Sequence, residues 1–211
     1  MSKIRLLLVD DNVNVRKGLR KMLTRSPEVE IVGEAENGRE ALELMKDLDP
    51  DILLLDVEMP GMKGYEVARR LRDSGSSTRV LALSGYNEKR YILSMLANGA
   101  VGYLTKDDAS QYLLSAVKEV AAGNRGWISP NVAQMLDLPA HPTGKDTIPA
   151  LSHREMRVLR LLAEWKADTE IGSELNLEPS TLRETIQSIW HKLGVKTTLG
   201  AVLRAIQEGI L

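Results

Sequence analysis

The first 123 residues alternate between short apolar runs and segments with helical spacing. The runs cover Ile4–Val9, Val29–Ala35, Asp51–Leu55, Arg79–Leu83 and Val101–Leu104. After each run, apolar residues recur every three or four positions, as expected for one buried helix face. Strands that alternate with helices in this way indicate right-handed βαβ crossovers. The pattern therefore predicts an α/β domain over residues 1–123, with a doubly wound, five-stranded parallel sheet.

Residues 124–150 interrupt this pattern with glycines and prolines. Ser129 followed by Pro130 is typical of a helix N-cap and first turn, so a short helix is predicted over Pro130–Leu136. The remainder, Asp137–Ala150, is predicted to be a flexible linker.

Residues 151–211 show only helical spacing, which predicts a small all-α domain of four short helices. Ser152 and Glu155 form a capping box for the first helix, and the second covers Asp168–Leu175. Pro179 opens the third helix, and Thr198 is predicted to cap the fourth. A short helix, a turn and a helix with a polar outer face are typical of a helix-turn-helix domain. A helical interaction domain with a solvated face is the alternative.

Composition changes this picture little. Lys and Arg total 28, Asp and Glu total 29, and the apolar fraction is 43%. The absence of cysteine excludes disulfides, thiolate metal sites and a cysteine nucleophile. Without a signal-peptide pattern or an apolar run near the ~20 residues of a membrane helix, we expect a cytoplasmic protein with no membrane partner.

Three carboxylates follow two strands that are neighbours in the common 2-1-3-4-5 order. Asp10 and Asp11 come directly after the first strand, and Asp56 comes directly after the third. Because ligands bind at the carboxyl ends of parallel strands, these side chains are predicted to converge. Their hard oxygen atoms would suit Mg²⁺. The alternatives are helix capping for Asp10 and Asp11, and an ordinary turn residue for Asp56.

A hydroxyl and an ammonium group follow the next two strands. Ser84 ends the segment LALS, and Lys106 follows VGYLT. Together with the carboxylates they could hold a phosphoryl group, with one aspartate as nucleophile. Taken singly, Ser84 could be a turn residue and Lys106 a solvated lysine, but the ordered set favours phosphoryl chemistry.

Residues 3–123 resemble the response-regulator receiver domain, which has a flavodoxin-like fold. LLVDDN matches the acidic pair of that family, and DVEMPG matches its phosphorylation motif. The resemblance implies that Asp10 and Asp11 bind Mg²⁺ and that Asp56 accepts the phosphoryl group. It also implies that the backbone carbonyl of Glu58 completes the metal shell.

The same resemblance assigns the remaining strand-end residues. Ser84 and Lys106 match the hydroxyl and lysine of the family, and Tyr103 matches its aromatic switch residue. The alternative for Tyr103 is a half-buried strand aromatic. Lys106 is followed by Asp107 instead of the proline common in the wider family, a feature shared by NarL-like members.

Residues 151–211 resemble a LuxR-type DNA-binding domain. The resemblance rests on Leu151–Glu164, on Thr181-Leu182-Arg183 and on the Lys192-Leu193-Gly194-Val195 segment. It implies a NarL/FixJ-type response regulator that binds double-stranded DNA. The implied DNA contacts are Ser180, Thr181, Arg183, Glu184, Gln187, Ser188, His191 and Lys192.

Several positions depart from the usual pattern of that domain. Trp165 stands where glycine is usual, and Glu184 and Gln187 replace a small residue and a basic one. Residues 151–211 hold eight basic and eight acidic residues, although DNA affinity depends largely on positive charge.

These observations lead to two main hypotheses. In the first, a histidine kinase phosphorylates Asp56, the protein forms a homodimer, partly through Thr198–Glu208, and the dimer binds DNA. In the second, the helical domain has lost DNA binding and acts as a phospho-regulated protein-interaction module. We expect the protein not to be an enzyme, since the α/β domain has no glycine-rich nucleotide loop and no histidine.

Overall fold

The computed structural model describes residues 3–85, 88–136, 149–164 and 166–211. The chain forms two compact units, Met1–Ala140 and His141–Leu211. Most of the predicted linker, residues 137–148, lies outside the described residues, as does Trp165.

The first unit is a parallel sheet covered by helices, which confirms the predicted α/β fold. The strands are β1 (Ile4–Val9), β2 (Val29–Ala35), β3 (Ile52–Asp56), β4 (Arg79–Ser84), β5 (Ala100–Thr105) and β6 (Trp127–Ile128). The helices are α1 (Val13–Leu23), α2 (Gly38–Leu48), α3 (Gly64–Asp73), α4 (Lys89–Ala97), α5 (Ala109–Ala121) and α6 (Pro130–Met135). The strands lie in the order β2-β1-β3-β4-β5-β6 in the sheet.

The central strands are buried because the crossover helices cover both faces of the sheet. Every residue of β3 is buried, and the aliphatic side chains of β1, β3 and β4 form the core. In this order β1 lies beside β3, with Val9 opposite Leu55. The carboxyl ends that carry the predicted site residues therefore share one edge.

The sheet has six strands instead of the predicted five. The additional strand, β6, pairs parallel to β5 through Gly102–Trp127 and Tyr103–Ile128. Two residues are too few to show strand periodicity, so this strand was not predicted. The short helix that follows it, α6, was predicted.

The second unit is helical, as predicted. It contains α7 (His153–Ala163), α8 (Asp168–Leu175), α9 (Pro179–Leu193) and α10 (Thr198–Gln207). The prediction that Thr198 caps α10 is wrong, because Thr197 is the N-cap and accepts a hydrogen bond from the Gly200 amide at 3.0 Å. Helices α7, α8 and α10 all contact α9.

No helix within the described parts of the chain combines the length and the apolar character needed to cross a membrane.

Candidate functional site

The three predicted carboxylates converge at the carboxyl edge of the sheet. One oxygen atom from each of Asp10, Asp11 and Asp56 lies within 4.8 Å of the others. Asp10 has none of its surface exposed, Asp56 has 4%, and Asp11 is exposed. Three hard oxygen donors around one point are what a small divalent cation requires, so these residues fit Mg²⁺.

The turn after β1 points Asp10 into this pocket. Asn12 is the N-cap of α1 and accepts hydrogen bonds from the amides of Asn14 and Val15. Asp10 in turn accepts a hydrogen bond from the Asn12 amide at 2.9 Å. Helix capping is therefore performed by Asn12, which leaves the Asp11 side chain free of that role.

Lys106 reaches the carboxylates from the end of β5. Its Nζ lies 2.7 Å from Asp10 Oδ2 and 2.9 Å from Asp56 Oδ2. Burial alone would lower the pKa of Lys106, but the ion pair with Asp10 and the hydrogen bond to Asp56 outweigh burial and raise it. Lys106 is therefore a positive charge fixed beside both buried carboxylates.

The pocket changes the acidity of Asp56. Burial raises the pKa of Asp56 from 3.8 to about 6, although the hydrogen bond and charge of Lys106 oppose this rise. The nearby Asp10 carboxylate contributes to the increase. Because a raised pKa means that the proton is held more tightly, Asp56 ionises at higher pH than an ordinary aspartate when no metal is bound.

Ser84 and Tyr103 lie next to this pocket on β4 and β5. Both residues have no exposed surface, and a side-chain hydrogen bond joins them. Burial raises the pKa of Tyr103 to about 12. The aromatic ring of Tyr103 is thus fully inside the protein, and its phenol contacts the Ser84 hydroxyl at the end of β4.

Glu58 and Gly64 shape the loop after Asp56. The Glu58 amide donates to Asp56 Oδ1 at 3.4 Å, and its carboxylate accepts from Lys63 Nζ at 2.6 Å. A Cβ atom on Gly64 would lie 2.3 Å from the Asp56 carbonyl oxygen, so only glycine lets α3 begin this close to the site. Sequence analysis did not identify this role of Gly64.

The predicted DNA-contacting residues on α9 divide into two groups. Ser180, Arg183, Glu184, Gln187 and His191 are exposed, and Thr181 is partly exposed. Ser188 and Lys192 instead contact the buried Glu155 of α7. The Ser188 hydroxyl donates to Glu155 Oε1, and Lys192 Nζ donates to Glu155 Oε2, both at 2.7 Å.

Glu155 therefore connects the first helix of this unit to α9. It also accepts a hydrogen bond from the Ser152 amide at 2.6 Å, within the predicted capping box. Burial would raise its pKa, but the hydrogen bonds from Lys192, Ser188 and Ser152 lower it to about 2. The sequence identified Glu155 as a capping residue without showing that it holds α9.

Both units match known protein families. Residues 6–118 match the response regulator receiver domain, and residues 149–205 match the luxR family of bacterial regulatory proteins. The receiver match covers more than half of the chain.

Two named regulators align with almost the whole chain. The chain is 36% identical over 209 residues to the probable transcriptional regulatory protein NarL of Mycobacterium tuberculosis, covering 99% of this chain and 96% of the relative. It is 33% identical over 208 residues to the nitrate/nitrite response regulator NarL of Escherichia coli, covering 97% and 96%.

A solved structure of a response regulator with DNA is also similar. RcsB in a solved RcsB–DNA complex shares 25% identity with this chain, with a TM-score of 0.60. The match covers 96% of this chain and 98% of the RcsB chain. From these matches, the chain belongs to the NarL-type transcriptional response regulators, with a receiver domain followed by a LuxR-type DNA-binding domain.

Proposed function

We propose that Asp56 accepts a phosphoryl group from a partner histidine kinase in a Mg²⁺-dependent reaction. The observation that carries this proposal is the contact of Lys106 Nζ with the Asp56 carboxylate, inside the cluster that includes Asp10 and Asp11. In the reaction, an Asp56 oxygen attacks phosphorus while the phosphorus–nitrogen bond of the kinase phosphohistidine breaks. The product is an aspartyl phosphate.

The surrounding residues have complementary roles in this proposal. Asp10, Asp11, Asp56 and the Glu58 carbonyl would hold Mg²⁺, which when bound neutralises charge on the transferred oxygens. Lys106, whose Nζ contacts both Asp10 and Asp56, would neutralise further charge on the phosphoryl group. The Ser84 hydroxyl donates a hydrogen bond to the phosphoryl group. Because Ser84 then gives up its hydrogen bond with Tyr103, the Tyr103 side chain can rearrange.

Phosphoryl uptake can be measured directly. The purified protein is incubated with Mg²⁺ and acetyl phosphate, and intact mass is recorded over time. We expect one added phosphoryl group in the wild type and in Asp47→Asn, which alters an exposed carboxylate on α2. Asp56→Asn should remain unmodified. Labelling of Asp56→Asn at the wild-type level would disprove this acceptor.

We also propose that the protein is cytoplasmic and that phosphorylation causes it to form a homodimer. The dimer would bind two DNA half-sites with its α9 helices. The exposed residues Arg183, Glu184, Gln187 and His191 provide hydrogen-bonding groups that suit base edges. The similar RcsB structure contains DNA, which supports duplex DNA as the target. The apolar side of α10 already packs on α7 and α9, so its partly exposed residues, such as Leu199, would form its share of a dimer contact.

Selection on random duplex DNA, with and without phosphodonor, tests this output. We expect an enriched site with two half-sites about one helical turn apart, and a steep loss of affinity with salt. Arg183→Ala should remove the enrichment, whereas Arg157→Ala, an exposed change on α7, should not.

The second candidate function is a phospho-regulated protein-interaction module. It is favoured by the exposed Glu184 on α9 and by the equal numbers of acidic and basic residues in residues 151–211. Failure of the phosphorylated protein to bind any duplex at low salt would support this function over DNA binding.

A further inference from the structure

The segment that follows the receiver helices is attached to β5 and to the start of α5. The Ser129 amide donates to the Tyr103 carbonyl at 3.2 Å, next to the β5–β6 pairs. Farther along, Asn131 Nδ2 donates to Asp108 Oδ1 at 2.6 Å. Trp127–Met135 therefore has one attachment through the backbone and another through a pair of side chains.

These two attachments lie on either side of Lys106 in the chain. The Asp108 amide donates to the Thr105 carbonyl at 3.1 Å and to the Thr105 hydroxyl at 3.2 Å, which closes a turn around Lys106. The Lys106 amide donates to the Ser84 carbonyl at 2.7 Å. A displacement of this turn would therefore move the backbone that carries the Lys106 ammonium group.

The Asp108 carboxylate is buried, and few other hydrogen bonds could replace the one from Asn131. Asp108 is 7% exposed, and its Oδ2 atom has no hydrogen-bond partner among the described residues. The amide of Asn131 thus satisfies a carboxylate that is otherwise poorly compensated. Losing this amide would favour movement of Asp108 toward water, together with the turn that it closes.

The attachment at β5 is also tightly packed. A Cβ atom on Gly102 would lie 3.1 Å from the Trp127 carbonyl oxygen and 2.9 Å from a Leu81 methyl group. Glycine therefore permits β6 to lie directly against β5. A shift of β5 near Tyr103 would be transmitted to Trp127 and Ile128 instead of being absorbed by a gap.

We infer that Asn131, acting through Asp108, is a positioning residue for Lys106, and that this pair couples Trp127–Met135 to the phosphorylation state of Asp56. The inference rests on the proposed phosphorylation of Asp56. Since coupling free energies are reciprocal, a change in Trp127–Met135 must also alter the equilibrium stability of the phosphorylated state. The segment leads covalently to the DNA-binding unit, so it provides a physical route for the signal.

Three variants test the pair in the full-length protein. Asn131→Ala removes the amide, and Asn131→Asp places two carboxylates together. The double variant Asp108→Asn, Asn131→Asp restores an amide–carboxylate pair with the roles exchanged. With Mg²⁺ and acetyl phosphate, we expect both single variants to be phosphorylated about fivefold more slowly, because a displaced Lys106 stabilises the transferred group less well. We expect the double variant to recover to within about twofold of the wild type.

Hydrogen exchange of the Ser129 amide gives a second measurement. If Asn131 had a purely structural role, the exchange rate of this amide would not respond to phosphorylation. Phosphorylation of the wild type should alter this exchange rate, and Asn131→Ala should reduce the difference between the two states. The comparison of phosphorylated and unphosphorylated wild type remains decisive even if the single variants fold poorly. The double variant then tests whether restoring the amide–carboxylate pair restores the phosphorylation rate.

The outcomes separate the two proposals. If the wild type takes up no phosphoryl group, the proposed function and this inference both fail. If the wild type is phosphorylated but Ser129 exchange is unchanged, the coupling is overturned while the acceptor assignment stands. The positioning role is likewise overturned by wild-type rates in folded Asn131→Ala or by failure of a folded double variant to recover.

Discussion

Lys106 Nζ lies 2.7 Å from Oδ2 of Asp10, a carboxylate with no exposed surface. The lysine is therefore the counter-charge of a fully buried acid, as well as a candidate ligand for the phosphoryl group. Its side chain keeps 25% exposure, so the ammonium group retains some contact with solvent.

Lys106→Ala should lower the free energy of unfolding by about 3 kcal/mol, because it leaves buried Asp10 and Asp56 without their cation. Urea unfolding in EDTA measures this loss, and added Mg²⁺ should restore part of it. Lys46→Ala, at an exposed position on α2, is the matched control. Equal stability of both variants would contradict the role of Lys106 as counter-charge.

Asp56→Asn should stabilise the metal-free protein by about 1–3 kcal/mol at pH 7. The pKa of Asp56 is raised to about 6, so its ionised form is disfavoured by folding at any higher pH. This penalty disappears as pH falls from about 6 to 3.8, and the advantage of asparagine should shrink in the same range. Urea unfolding in EDTA at pH 7 and pH 4.5 measures both effects.

Mg²⁺ binding should weaken as pH falls below about 6. The cation requires ionised ligands, and burial raises the pKa of Asp56 to about 6, so protons compete with metal in this range. Calorimetric titration at several pH values should show affinity falling with pH in the wild type. Asp56→Asn should bind Mg²⁺ more weakly at neutral pH and lose most of this dependence.

The second unit should lose stability in acid as Glu155 becomes protonated. Its pKa is lowered from 4.5 to about 2, so its contribution is complete above pH 4.5 and is lost as pH falls toward 2. Glu155→Gln should be less stable at pH 7 and should show a flatter decline below pH 4.5. Nuclear magnetic resonance signals from α9, which lies in this unit, can follow the loss of its packing separately from the first unit. An unchanged acid profile in Glu155→Gln would contradict the prediction.

Ser188 and Gln187 should give opposite patterns when replaced by alanine. Ser188→Ala removes a hydrogen bond to buried Glu155, so it should lower stability by about 1 kcal/mol. Gln187→Ala alters an exposed residue, so it should leave stability unchanged and weaken binding to the selected DNA site. Thermal unfolding and titration with labelled duplex measure the two properties separately.

The sequence predicted the α/β fold because the apolar runs and the helical spacing extend over whole elements. It did not predict β6, since Trp127 and Ile128 show no periodicity and gain their strand geometry by pairing with Gly102 and Tyr103. That pairing depends on contacts between distant parts of the chain. The Ser129-Pro130 signal is local, so the helix that follows was predictable.

The sequence also predicted that Asp10, Asp11, Asp56 and Lys106 would lie at one edge of the sheet, and the structure places them together there. The two faces of α9 were harder to separate, because Ser188 and Lys192 are polar residues that contact a buried polar residue. A pattern of apolar and polar positions assigns such residues to the solvent side. The burial of Glu155, which decides their direction, depends on how α7 packs against α9.

The short strand β6 also changes what the sheet can offer to other molecules. Without it, the backbone of β5 at Gly102 and Tyr103 would form an open edge, and open edges can recruit strands from other chains. The Tyr103 carbonyl instead accepts from the Ser129 amide within the same chain. Residues 127–129 therefore occupy the edge of β5 beside Tyr103, where a strand from another chain could otherwise pair.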